Sequence, residues 1–162
     1  MKFNSIDNLS IDNQENYDRL MKYLMNAAMF DYHIGVEFTD TLPPFAPSAS
    51  YNTVGRLIIM NALWPYPTEI PFQLAHEIAH VLHEDQHYYN LNDGTANSGE
   101  ADANIFAINL LYKYCDDNDY HFDNFYNFAK AFSTLSQVLS TILSNFILKY
   151  RPNREMAPGE SS

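Results

Sequence analysis

The chain has 162 residues, which suits one domain and is short for two. An apolar fraction of 46%, with 12 Tyr and 11 Phe, is enough for a sizeable core and excludes disorder over most of the chain. A net charge of -11 argues against binding to nucleic acid or to anionic membranes. One cysteine, no long apolar stretch and no secretory signal favour the cytoplasm.

The N-terminal half is predicted to form a helix and three short strands within a single domain of residues 1–152. Apolar residues at helical spacing place the helix near 13–30. A strand over 34–39 is followed by a proline-rich loop and by strands at about 49–53 and 56–61. These strands predict a small antiparallel sheet.

The C-terminal half is predicted to be helical. One helix begins near residue 68 and ends at about 84, and another begins near Ser98 after a polar loop. Two further helices are expected at about 122–131 and 134–150, and the tail 153–162 is expected to be disordered. The fold class is therefore α+β, mostly helical.

The motif His76-Glu77-Ile78-Ala79-His80 is the strongest indication of function. Residues four apart lie on one face of a helix, so His76 and His80 can bind a single metal ion. Glu77 follows the first histidine and can take a proton from a water molecule at the metal. Two imidazoles and an open position suit zinc, which predicts a zincin-like domain built on an HExxH helix. The alternative is a pair of surface histidines on an ordinary helix.

A catalytic zinc site needs a third protein ligand. A metzincin extension would need Gly and His where the chain has His83 and Gln86. A downstream Gly-Thr-x-x-Asp pattern would need Asp where the chain has Ser98. The remaining arrangement takes the third ligand from a glutamate on the next helix, and Glu100 is at a suitable position for this role. Asn104, one turn later, could hydrogen-bond a ligand imidazole and fix its tautomer.

Two segments together resemble the ImmA/IrrE metallopeptidases. They are HEIAHVLH and, about twenty residues later, GEADANIFAINLL; the preceding GRLIIMN also looks like the strand of that family, which commonly ends in Asn. The resemblance covers roughly residues 50–112. It implies a stand-alone zinc peptidase of the type found in prophages and mobile elements. Such proteins relieve repression by cleaving a helix-turn-helix transcriptional repressor.

Carried over to this sequence, the resemblance implies that His76, His80 and Glu100 bind zinc and that Glu77 is the catalytic base. One position departs from the family, which often has Glu immediately before Ala-Asn, where this chain has Asp102. Asp102 is therefore a competing ligand. Glu100 is preferred because related proteases place their glutamate at that distance from the alanine, and because Asp102 would point about 160° away around the helix.

Other roles stay open at this point. His87, Tyr88 and Tyr89 lie in the predicted loop between the two site helices, and any one of them could donate a hydrogen bond to the developing oxyanion. The chain could instead be a non-catalytic module that binds the repressor or senses metal, as an antirepressor or as a toxin-antitoxin component. In either case the expected partner is a protein.

Overall fold

A computed structural model describes residues 13–51, 55–87 and 96–134 of the protein. The helices and strands in these ranges, in chain order, are α1 (Gln14–Asn26) with a π-helical turn (Ala27–Asp31), β1 (Gly35–Thr39), β2 (Ala49–Tyr51), β3 (Leu57–Asn61), a 3-10 turn (Pro67–Glu69), α2 (Ile70–His87), α3 (Ala96–Asp117) and α4 (Phe125–Ala131). The predicted fold class, a mostly helical α+β domain with a small sheet, is confirmed.

The three strands form one sheet in the order β1-β3-β2. β2 and β3 are antiparallel, with Ser50 opposite Ile58, as the predicted antiparallel sheet requires. β1 instead runs parallel to β3, with Val36 opposite Ile58, so the sheet is mixed rather than antiparallel throughout. β3 is thus the central strand, and the connection from β1 crosses to the far side of it, where β2 lies.

The core lies between α1, the sheet and the two long helices. Its fully buried members include Leu20 and Leu24 of α1, Ile58 and Met60 of β3, Leu74 and Ile78 of α2, and Leu111 and Tyr114 of α3. α2 packs against α3. Both helices have fully buried alanines, at positions 79, 103 and 107. Because the side chain of alanine is a single methyl group, helix backbones can lie close together at such positions.

α2 has two faces that differ in burial. Leu74, Ala75 and Ile78 are fully buried, whereas Gln73, His76, Glu77 and His80 are partly exposed at spacings of three and four residues. Such spacing places these four side chains in one stripe along the helix. The apolar face holds α2 against the core and thereby presents the polar stripe at the surface.

The predicted helix at 122–131 is shorter in the structure, where α4 begins at Phe125. The side chain of Asn124 accepts a hydrogen bond from the backbone N–H of Asn127, which caps the helix at that point. The predicted helix at 134–150 and the predicted disordered tail at 153–162 lie outside the described residues. Across the described ranges, each helix is too short or too polar to cross a membrane.

Candidate metal and catalytic site

His76 and His80 lie one turn apart on the polar stripe of α2. Their Nε2 atoms are 2.9 Å apart, and their rings meet nearly edge to face with centroids 4.6 Å apart. The imidazoles are mostly buried, with 16% and 24% of the side chains exposed. Two nitrogen atoms at this distance cannot both carry a proton without strong repulsion, so the pair is suited to sharing a cation.

Glu100 brings its carboxylate to both histidines from the start of α3. Oε2 lies 3.2 Å from Nε2 of His76, and Oε1 lies 3.1 Å from Nε2 of His80. The Glu100 side chain is 63% exposed, so the open side of this group faces solvent. The three side chains form what we call the donor triangle: two imidazole nitrogens 2.9 Å apart and a carboxylate whose two oxygens each approach one of them within 3.2 Å.

Asn104, one turn after Glu100 on α3, contacts the other side of the His76 ring. The Nδ1–H of His76 donates a hydrogen bond of 2.9 Å to Oδ1 of Asn104, which leaves the Nε2 lone pair directed into the donor triangle. Burial lowers the pKa of His76 below its ordinary value, and the neighbouring His80 lowers it further, against the opposing effects of Glu100 and Asn104. His76 is thereby favoured in the neutral form that binds metal.

The donor triangle fits a divalent metal ion. On a tetrahedral zinc ion with bonds of about 2.0–2.1 Å, neighbouring ligand atoms lie roughly 3.3 Å apart. The closest approaches in the donor triangle are 2.9, 3.1 and 3.2 Å, the last two made by different oxygens of Glu100, and one ligand atom from each residue lies within 4.8 Å of the other two. A small shift of the carboxylate would bring one oxygen to the separation that zinc requires. Among the described residues, His76, His80 and Glu100 are the group whose donor atoms could hold a metal ion.

A cleft of about 350 Å³ opens beside this group. Glu77, His76, Glu100 and Asn104 line one end of it. The rest of the lining comes from the loop before β2, the turn after β3 and the first turns of α2, through Pro47, Ser48, Trp64, Glu69, Phe72 and Gln73. A carboxylate that could act as a base and a group that could hold a metal ion therefore meet in one solvent-accessible space.

The other candidates from the sequence are one residue that is separate from the donor triangle and three whose side chains the structure does not describe. Asp102 is exposed on α3 and is not part of the donor triangle. His87 is the last residue of α2, and its side chain lies outside the described part of the structure, as do Tyr88 and Tyr89. The suggested oxyanion role of these three residues therefore stays a prediction.

Asn61, at the end of β3, positions the loop that forms one wall of the cleft. It is 1% exposed. Its amide nitrogen donates to the carbonyl oxygens of Pro43 (2.7 Å) and Ala46 (3.0 Å), and its side-chain oxygen accepts from the backbone N–H of Leu63 (2.9 Å). Sequence analysis noted this asparagine only as part of the family resemblance, because its partners are backbone groups that no local pattern identifies.

Comparison with known proteins gives one family. The family model described as IrrE N-terminal-like domain, a peptidase family, matches residues 36–140. The match includes β2, β3, all of β1 except its first residue, α2, α3 and every residue of the donor triangle. No curated protein and no solved structure shows significant similarity. The chain belongs to the IrrE N-terminal-like peptidase family.

Proposed function

We propose that this member of the peptidase family is a zinc-dependent endopeptidase. The observation that supports the proposal is the donor triangle of His76, His80 and Glu100, of which His76 and Glu100 line the same cleft as Glu77. Two imidazoles and one carboxylate, with the remaining side open to solvent, form the ligand set of catalytic zinc sites.

In the proposed mechanism the metal ligands, Glu77 and Asn104 have different roles. Zinc, when bound by the donor triangle, would lower the pKa of a water molecule and polarise the scissile carbonyl. Glu77 takes the proton of the attacking water and then delivers it to the leaving amine. Asn104 holds His76 in one tautomer throughout, through the bond to Nδ1. The half-buried histidines keep the site partly shielded from bulk water, which strengthens these interactions.

β2 offers a way to hold an extended substrate. It forms one edge of the sheet, and Pro47 and Ser48, immediately before it, line the cleft. An extended peptide that paired with this edge would place its backbone along the cleft beside α2.

The proposed substrate is a helix-turn-helix transcriptional repressor, whose cleavage relieves repression. Two considerations support this choice: the resemblance of the motif segments to stand-alone ImmA/IrrE peptidases, and the charge of -11. A DNA-binding regulator carries a basic surface, so an acidic peptidase attracts it over a distance and is itself repelled by DNA.

Metal content tests the site. The protein, purified without added metal and then offered zinc, is expected to hold about one zinc ion per chain by elemental analysis. Glu100→Ala is expected to lose most of it, whereas Asp102→Ala, two residues away on the same helix and exposed, is the matched control and should keep it. If Glu100→Ala keeps zinc and Asp102→Ala loses it, the third ligand is Asp102 and not Glu100. If the unmodified protein binds no zinc, the proposal of a zinc peptidase is refuted.

Cleavage is tested with Glu77→Gln, which keeps the shape of the side chain and removes the base. Cells that express the unmodified protein should contain new protein termini within a helix-turn-helix repressor, and cells that express Glu77→Gln should lack them. Zinc content must be equal in the two proteins. If Glu77→Gln relieves repression equally well and nothing is cleaved, the chain is the non-catalytic repressor-binding module.

A further inference from the structure

The cleft extends beyond the residues that the proposed chemistry uses. Its lining also includes Phe72, Trp64 and Glu69, which precede His76 in the chain. Phe72 is 4% exposed, so the half-buried Trp64 provides most of the accessible aromatic surface. Phe72 precedes His76 by one helical turn, with ring centroids 6.2 Å apart. Glu69 lies nearly one turn further back, at the end of the 3-10 turn. In this end of the cleft, which we call the Trp64 subsite, Glu69 is therefore about 10 Å along the helix axis from His76.

Trp64 and Glu69 are fixed against each other. The indole N–H of Trp64 donates a hydrogen bond of 2.9 Å to Oε2 of Glu69. The backbone N–H of Glu69 also donates to the carbonyl oxygen of Tyr66, which closes the turn between the two side chains. No hydrogen bond from the described residues reaches the second carboxylate oxygen, Oε1. The subsite thus presents a partly buried carboxylate with room for one more donor.

The charges at the cleft favour a cation. Among the residues that the structure describes, its lining contains Glu69, Glu77 and Glu100 and no Lys or Arg. Glu100 would be used by the metal ion and Glu77 by the attacking water, which leaves Glu69 as the carboxylate available to a substrate. A long basic side chain matches both features of the subsite, because its methylene groups pack on aromatic rings while its charged end pairs with a carboxylate. An acidic side chain would be repelled.

We propose that the Trp64 subsite binds a lysine or arginine side chain of the substrate and makes Glu69 a specificity-determining residue. The inference rests on the proposed peptidase function. An extended peptide advances about 3.3 Å per residue, and a lysine side chain reaches roughly 6 Å. The basic residue therefore lies within about three residues of the bond that is cleaved.

Binding can be measured without cleavage, because Trp64 is the single tryptophan of the chain and its fluorescence reports on this subsite. The probes are capped alanine-glycine heptapeptides with a central Lys, norleucine or Glu, titrated into the full-length, zinc-loaded Glu77→Gln protein. The Lys peptide should bind about fivefold more tightly than the norleucine peptide, and the Glu peptide most weakly. Introducing Glu69→Gln into the Glu77→Gln protein should abolish the difference in affinity between the Lys and norleucine peptides. Introducing Glu69→Lys instead should make the Glu peptide bind most tightly.

Glu37→Gln is the matched control, since it removes the same charge from an exposed position on β1 that does not line the cleft. It should leave the ranking of peptides unchanged. A merely structural role of Glu69 at the start of α2 would lower thermal stability in Glu69→Gln and leave the Lys-to-norleucine ratio as it was. Equal binding of the three peptides by the Glu77→Gln protein overturns the inference.

A cleavage assay tests the Trp64 subsite and the proposed peptidase activity separately. The unmodified zinc-loaded protein is incubated with a denatured protein digest, and the residues that flank each new terminus are counted. Cleavage with Lys or Arg enriched at one position, lost in Glu69→Gln, supports both proposals. Cleavage without such enrichment overturns the subsite alone. Discrimination in the binding measurement without any zinc-dependent cleavage supports the subsite and refutes the peptidase.

Discussion

His76 donates its Nδ1–H to the side-chain oxygen of Asn104 at 2.9 Å, so the residue that orients the first histidine of α2 belongs to α3. Replacing Asn104 with Leu removes the acceptor and frees the imidazole to change tautomer or rotate. We expect zinc affinity to fall about 10–100-fold, measured by competition with a chromophoric chelator. Asn104→Asp keeps an acceptor and should retain most of the affinity.

Asn109→Ala is the control for this prediction, because Asn109 is an exposed asparagine on the same helix. Its zinc affinity should equal that of the unmodified protein. Unchanged affinity in Asn104→Leu would mean that packing alone orients His76.

Zinc should stabilise the folded protein, because its donor atoms come from two helices and are brought together only in the folded chain. At a free zinc concentration of about 100 times the dissociation constant, the free energy of unfolding should rise by about 2.7 kcal/mol. For a chain of this size that corresponds to a rise in melting temperature of roughly 5–10 °C. Thermal melts with zinc and with excess chelator measure it, and Glu100→Ala should show little response to either.

Asn61→Ala should destabilise the protein. The part-buried bonds from the Asn61 amide to the carbonyl oxygens of Pro43 and Ala46 and to the N–H of Leu63 would be lost, at a cost of about 1–3 kcal/mol in the free energy of unfolding. The Pro43 oxygen would keep the N–H of Ala46 as a donor. Asn61→Asp has the same shape but replaces the amide donor with a carboxylate oxygen that faces two carbonyl oxygens. The Asn61→Asp protein should therefore be no more stable than the Asn61→Ala protein. Chemical denaturation measures both, and a loss under 1 kcal/mol would show that water takes over these bonds.

Tyr114→Phe should not destabilise the protein, although Tyr114 is 1% exposed. The Tyr114 hydroxyl has no hydrogen-bond partner among the described residues, so removing it costs no bond and relieves its desolvation. We expect the free energy of unfolding to stay equal or to rise by up to about 1 kcal/mol. Urea denaturation at neutral pH measures this, and a loss above 1 kcal/mol would reveal a partner for the hydroxyl.

Stability should decline at alkaline pH. Burial raises the pKa of Tyr114 from 10.0 to about 12 and that of Cys115 from 9.0 to about 12. Above pH 9 the unfolded chain releases these protons while the folded chain retains them, so the stabilising contribution, complete below pH 9, is lost as the pH approaches 12. Denaturation midpoints at several pH values measure the decline, and Tyr114→Phe should remove the part that begins at pH 10.

Cys115 should resist alkylation in the folded protein. At pH 8 a pKa of about 12 leaves roughly a thousandth of the thiolate present in an unfolded chain, and the thiol is also 1% exposed. Because the chain has one cysteine, intact mass after iodoacetamide treatment reports directly on this residue. Rapid labelling without denaturant would show that this end of α3 opens readily.

Local sequence patterns predicted the parts of the molecule that depend on neighbouring residues. The helix that holds His76 and His80 follows from its apolar spacing, and Glu100 and Asn104 share a face of α3 because they are four residues apart. The parallel pairing of β1 was missed, since both orientations bury the same alternate residues. The link between Trp64 and Glu69 was also missed, because it depends on how the chain turns at two prolines and not on any periodic pattern.

The fully buried alanines at positions 79, 103 and 107 have a consequence for the distant chemistry. One ligand set comes from α2 and the other from α3, so the separation of these helices fixes the separation of the donor atoms. Each of these alanines is fully buried, so a larger side chain at any of the three positions would have to displace its neighbours. A metal–ligand bond tolerates a change of only about 0.2 Å, so a slight displacement of either helix would disturb the coordination that we propose. Buried apolar residues therefore limit how accurately the donor atoms of the proposed metal site are placed.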